Sequence, residues 1–190
     1  MIIFLISLYI CIIMHELAHL LAAKFVKCKV EVFSIGFGKE LFRFKLGGTI
    51  YRFALFPLGG YNKLKDELSY SRSKYAFTNL SYRKKMLIIL AGCFVNIFMG
   101  AITFLIGHKL GIYNLLYFGW LSFILGITNL IPFPALDGSY VFLVWLEKFY
   151  GKKKGYKIMN KICHIGFIIL MVLNIACIPL LIWMVMKGMI

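Results

Sequence analysis

The sequence predicts an α-helical polytopic membrane protein, with about four transmembrane helices and a small membrane-associated β-hairpin. Three observations lead there. Hydrophobic residues make up 62% of the 190 residues and charged residues 15%, against about 45–50% and about 25% in a soluble domain. Four apolar stretches reach the roughly 20 residues that span a bilayer. One polar segment holds two alternating runs around a Gly-Gly pair, the signature of a hairpin. Such a chain is not a disulfide scaffold, a disordered polymer or an ordinary cytosolic enzyme. Its length predicts a single domain over residues 1–190.

The first stretch, Ile2 to Val26, carries His15, Glu16, His19 and Lys24. It reads as a retained span. A secretory signal would have a basic leading region and no ionisable residues in its apolar part. The second stretch, Met86 to Ile106, has no charge. The third, Leu115 to Leu146, holds only Asp137 and is too long for one membrane crossing. Pro132 and Pro134 remove amide donors and disfavour helix before them, so it should break near 132–138. Broken backbone at that depth must be buried in protein or line a wet cavity. The fourth stretch is Ile162 to Met186.

Charge gives orientation. Net charge is +15. In a lipid-embedded chain this reads as a basic flank on anionic lipid rather than a nucleic-acid surface. Residues 24–85 hold ten Lys and four Arg against four acids, net +10, and residues 147–161 hold six Lys against Glu147, net +5. Both should be cytoplasmic loops of a multi-pass cell-membrane protein, with N- and C-termini outside.

Within the first basic loop, Phe42-Arg43-Phe44-Lys45-Leu46 and Thr49-Ile50-Tyr51-Arg52-Phe53 flank Gly47-Gly48. The hairpin is expected over about 41–54, its aromatic face seeking the helices or the lipid edge. Pro57-Leu58-Gly59-Gly60 reads as a turn, and Asp66 to Tyr75 as a surface connector. The five cysteines have no metal-type spacing and read as apolar fillers.

The chemistry lies in His15-Glu16-Leu17-Ala18-His19. On a helix, i and i+4 share a face, so both imidazoles can reach one metal, with Glu16 placed to take a proton from a water the metal activates. Three ionisable groups in one membrane turn are costly unless they pair, coordinate or line water. A hydrolytic zinc needs about three protein ligands. Asp137 is the one charged side chain in the other spans, and counting from the basic flanks puts it in the same half of the membrane as His19. The candidate set is His15, His19 and Asp137 for one zinc per chain, with Glu16 as catalytic acid/base. His108 and His164 read as interfacial or packing histidines. Gly92, Asn96 and Gly100 recur every four residues as a small-residue face that admits a close helix neighbour.

The chain resembles the site-2 protease family of intramembrane zinc metalloproteases over roughly residues 10–142. The resemblance rests on the His15–His19 motif, Gly36-Phe37-Gly38, Pro57-Leu58-Gly59-Gly60-Tyr61, Ala91-Gly92 with Asn96, and Asn129-x-x-Pro132-x-Pro134-x-Leu136-Asp137-Gly138. It implies hydrolysis of a peptide bond in or near a transmembrane segment of a membrane protein, as in regulated intramembrane proteolysis. It also implies a hairpin presenting extended substrate, with Asn129 and Asn96 as substrate-binding residues. Cys93 stands where the family often has Pro, and Ser139 where a second Gly is common. The outer turn 107–114 leaves no room for the PDZ domain of many relatives, so a minimal form without PDZ or CBS domain is expected. Expected partners are the bilayer and a transmembrane substrate, with a regulatory membrane partner or a homo-oligomer left open. Two alternatives stand beside this reading: an inactive metal-binding membrane adaptor, and a membrane zinc protease of another class.

Overall fold

The computed structural model describes residues 2–67, 73–134 and 136–186. Helix α1 (Ile2–Phe25) is followed by strands β1 (Val30–Leu46) and β2 (Thr49–Leu64), then by helices α2 (Tyr82–Leu110), α3 (Tyr113–Leu130) and α4 (Ser139–Met186). Two helical segments, Ile3–Phe25 and Tyr82–Leu110, are long and apolar enough to cross a membrane. Large apolar side chains on α1, α2 and α3 stay exposed, among them Ile6, Leu21, Phe98, Leu105 and Trp120.

The hairpin is much longer than its alternating pattern suggests. Its turn is Gly47-Gly48, both at positive φ, and Leu46 pairs Thr49. Below the tip, the ribbon folds over itself. Val32 to Ile35 has Lys63 to Gly60 as partners, and also Ile50 to Phe53. The fold-over falls at Gly36-Phe37-Gly38, where φ is 89° and 85° at the two glycines. Those values are open to glycine without strain, and a Cβ on Gly36 would lie 2.9 Å from the carbonyl oxygens of Ala54 and Phe56.

Pro57 to Gly60 is therefore not a turn; it lies within β2. Its glycines serve close packing. A Cβ on Gly60 would meet Glu16 Cγ at 2.7 Å and the Ser34 carbonyl at 2.8 Å. The connector is less superficial than expected too: Asp66 and Glu67 are half-buried, while residues 68–72 lie outside the described residues.

The core sits where the base of the sheet meets the ends of the helices. Leu20 and Ala23 of α1, Val26 just after it, Val30, Phe33 and Ile35 of β1, Ile88 and Ile89 of α2, and Tyr156 and Met159 of α4 form one buried cluster. The hairpin tip extends beyond it, with Leu41, Phe42, Phe44 and Leu46 exposed. Phe44 stacks on Tyr51 at 5.0 Å, so the aromatic face packs partly on itself. Lys24, at the end of α1, donates to the Tyr51 hydroxyl at 2.6 Å and fastens the sheet to the helix.

Helices α2 and α3 touch through main chain. A Cβ on Gly100 would lie 2.6 Å from the Phe123 amide, and Ser122 Oγ donates to the Asn96 carbonyl at 2.9 Å. Between α3 and α4, which begins at Ser139, the described residues 131–134 and 136–138 are non-helical. Residues 147–161, read above as a loop, belong to α4, interrupted at Gly151 (φ 75°, ψ 159°). Lysine is a good helix former, so the Lys-rich segment is helical; of its two glycines, Gly151 takes the non-helical conformation and Gly155 stays in the helix.

Candidate metal centre

The i, i+4 spacing does on α1 what helical geometry requires: His15 and His19 are both buried on one face, rings 4.7 Å apart. Asp137 reaches them from the non-helical segment before α4. Its Oδ2 lies 2.9 Å from His15 Nε2 and 3.1 Å from His19 Nε2, and the two Nε2 atoms are 3.1 Å apart. Among the described residues, these three are the group whose donor atoms converge closely enough to hold a metal ion.

The surroundings set which atoms face inward. His19 Nδ1 is 2.7 Å from the Ile88 carbonyl. A carbonyl only accepts, so Nδ1 carries the proton and Nε2 turns a lone pair to the centre. Two imidazole nitrogens and a carboxylate oxygen aimed at one point are electron-rich partners for one another. A cation satisfies all three, and two His with one carboxylate is a hydrolytic zinc donor set.

Asn96, fully buried, stands behind His15, its Nδ2 3.4 Å from Nδ1 and its Oδ1 unpartnered among the described residues. Turning the amide half a revolution offers Oδ1 to the Nδ1 proton that an Nε2-ligating histidine must carry. This placement backs a metal ligand and does not present Asn96 to an open face. Asn129 is half-buried, and its Nδ2 donates to the Leu125 carbonyl at 3.0 Å within its own helix. No described bond joins Asn129 to His15, Glu16, His19 or Asp137. His108 and His164 are exposed and take no part in the cluster.

One wall of the centre is main chain. A Cβ on Gly92 would overlap His19 Nε2 and lie 2.7 Å from His15 Cε1, so α2 approaches the imidazoles only because residue 92 has no side chain. Cys93 beside it is buried, with Sγ 3.6 Å from Asp137 Oδ2.

Glu16 faces the sheet. Asn62 Nδ2 donates to its Oε2 at 2.8 Å and to its main-chain carbonyl at 2.8 Å. Glu67 reaches Tyr140 with a hydrogen bond, and burial raises its carboxyl to about 7. Asn62 and Glu67 carry no signal in the sequence because neither lies in a spaced motif. Cys93 carries a partial one, replacing the family's usual Pro beside Gly92.

Known proteins resemble this chain along most of its length. The model of peptidase family M50 matches residues 3–112 and 108–173. A candidate zinc metalloprotease of Campylobacter jejuni is 42% identical over 109 residues, covering 55% of this chain and 30% of that protein. One of Borreliella burgdorferi is 35% identical over 150 residues, covering 73% and 34%. The regulator of sigma-E protease RseP of Salmonella typhimurium is 34% identical over 134 residues, covering 68% and 26%. The matches thus span about a third or less of each relative's length. The family match covers most of the sequence and includes both the helix of His15 and His19 and the segment of Asp137, and on that ground the chain belongs to peptidase family M50.

Proposed function

We propose that this chain is the catalytic core of an intramembrane zinc metalloprotease, holding one zinc on His15, His19 and Asp137. It would hydrolyse a peptide bond in or near a transmembrane segment of a membrane protein. The observation that carries this reading is the convergence of His15 Nε2, His19 Nε2 and Asp137 Oδ2 within 3.1 Å of one another, the two histidines lying on a helix long and apolar enough to span a membrane. The relatives' names supply zinc and proteolysis.

When bound, zinc supplies Lewis acidity to water and to the scissile carbonyl. The rest falls to the chain's own groups. Glu16 takes the proton of the attacking water and returns it to the leaving amine. His15 and His19 keep their Nε2 atoms inward through Asn96 and the Ile88 carbonyl. A helical substrate hides its peptide bonds, so it must unwind and add as a strand at an edge of the β1–β2 sheet, with Asn129 holding further backbone. Exposed apolar faces on α1 to α3 support a multi-pass chain of four spans. The net charges of residues 24–85 and 147–161 orient it with both segments cytoplasmic and both termini outside.

The deciding experiment is Glu16→Gln, measured for zinc content and for cleavage of a helical membrane substrate in one detergent. Zinc should stay at one per chain and cleavage should fall by at least about 10²–10⁴-fold. Near wild-type cleavage would remove Glu16 from the reaction; retained zinc in a wild-type protein that cleaves no substrate would favour a metal-binding adaptor. Orientation is tested separately with Lys65→Cys in a cysteine-free background, which should resist labelling from outside intact cells.

A further inference from the structure

We infer that Asn62, on the strand that closes the sheet, is a positioning residue for Glu16, fixing the carboxylate so that one of its oxygens is committed and the other is free for proton transfer. The inference rests on the protease reading above and assigns a role to a residue with no place in the metal-ligand motifs.

The geometry is that of a two-point clamp. One Nδ2 group makes both contacts, 2.8 Å to the Glu16 carbonyl and 2.8 Å to Oε2. An amide nitrogen has two protons, so each bond has its own. The bond to the carbonyl anchors Asn62 to the backbone of α1. The bond to Oε2 is charge-assisted and shorter and stronger than a neutral one. A glutamate has three side-chain torsions and loses considerable freedom when held in one pose. Among the described residues, Asn62 is the hydrogen-bond partner that holds it, on Oε2 alone. Among the described residues no hydrogen bond reaches Oε1, the arrangement needed by a group that must accept a proton and pass it on.

The strand is shaped for this contact. Residues i and i+2 share a face of a strand, and Gly60, two before Asn62, lies so close to Glu16 that a Cβ would sit 2.7 Å from its Cγ. A side chain at 60 would push Glu16 away; the amide at 62 pulls it in. Asn62 is in turn held in register opposite Phe33, a core residue. Its Oδ1 is buried without a partner among the described residues, so the amide is oriented by what its nitrogen binds. The base is thereby tied to the sheet proposed to receive substrate, and not to its own helix alone.

Two near-isosteric substitutions separate a hydrogen bond from packing. Asn62→Leu keeps bulk and loses the donor; Asn62→Asp also loses it and sets a second carboxyl against Glu16. Both should lower kcat by about 10- to 100-fold, the scale of a small misplacement, with KM within about two-fold and zinc at one per chain. Asn62→Asp should be the worse, and Asn62→Gln, which keeps the amide, should recover part of the loss. A raised KM with unchanged kcat would instead make Asn62 a substrate contact and overturn the inference. So would equal activity of Asn62→Leu and wild type.

A second measurement needs no turnover. In zinc-free protein with ¹⁵N-labelled asparagine, Glu16→Gln should shift one Nδ2 proton of Asn62 and leave the other, which faces the carbonyl. Unshifted signals overturn the clamp. Failure of the protease reading looks different: wild-type protein cleaves nothing while the Asn62 signals still respond to Glu16→Gln.

Discussion

Two buried polar clusters lie within this fold, and they are built on opposite principles. Around Lys85 the partners complement one another. The ammonium is buried, donates to Glu147 Oε1 at 2.6 Å and to the Tyr156 hydroxyl at 2.9 Å, and lies over the rings of Phe77 and Tyr156. Donors meet acceptors, and positive charge meets negative. Around His15, like meets like: three electron-rich atoms crowd one point. The first cluster is complete within the chain and joins α2 to α4. The second turns its three donor atoms to one point close enough to hold a metal ion. Burial of polar groups therefore does not itself mark a functional site; mismatch among the buried groups does.

The sharpest way to break the contrast is to take one member from each cluster. His19→Ala should abolish zinc binding and cleavage together, since it removes a ligand, while the fold survives. Zinc content and circular dichroism in one detergent check both halves. Lys85→Met should do the reverse. Leaving Glu147 buried without its cation costs about 3–5 kcal/mol, read as a lower unfolding midpoint, while folded protein still binds one zinc. Adding Glu147→Leu should restore most of that stability, because a buried ion pair exchanged for apolar groups is often neutral or stabilising. If the double variant stays as unstable as Lys85→Met, the cluster does more than join two helices.

A smaller effect concerns pH. Burial raises the Glu67 carboxyl to about 7 from an ordinary 4.5. The folded protein then holds that proton more tightly than the unfolded chain. Its contribution to stability is whole below about 4.5 and is lost as pH rises through about 7. Glu67→Gln in zinc-free protein should therefore raise the melting temperature at pH 8 but leave it unchanged near pH 4.5. The difference corresponds to on the order of 3 kcal/mol. A uniform shift at both pH values would show that Glu67 does not titrate in this range. Smallest of all, Tyr156→Phe removes one bond to Lys85 and should cost about 1 kcal/mol; a larger loss would make the tyrosine, rather than Glu147, the main partner.

The two clusters also differ in how far the sequence disclosed them. His15, Glu16 and His19 stand at fixed spacing in one helix, and Asp137 is a lone charge in an apolar stretch, so helical geometry and the cost of charge in lipid were enough to group them. Lys85, Glu147 and Tyr156 each sit in ordinary basic or aromatic surroundings, and their meeting depends on how α2 and α4 pack. The hairpin shows the same limit. Alternation marks a strand only where one face is uniformly apolar, as at Phe42 and Phe44. It fails at Gly36-Phe37-Gly38 and Pro57 to Gly60, where long-range pairing and the approach of Glu16 keep the chain extended. Asn62 was hidden for that reason, lying in a stretch whose local signals spell a turn.

Gly92 has a consequence for how molecules other than substrate would meet this centre. Its main chain is the wall against both imidazoles, and main chain offers an inhibitor no side chain to distinguish. A chelating compound would meet on that side a surface shared by any relative that keeps the glycine, with no room for a substituent. Selectivity would have to be designed into the opposite end of the compound, toward Gly60 and Asn62, where one strand supplies both an absence of bulk and a fixed amide.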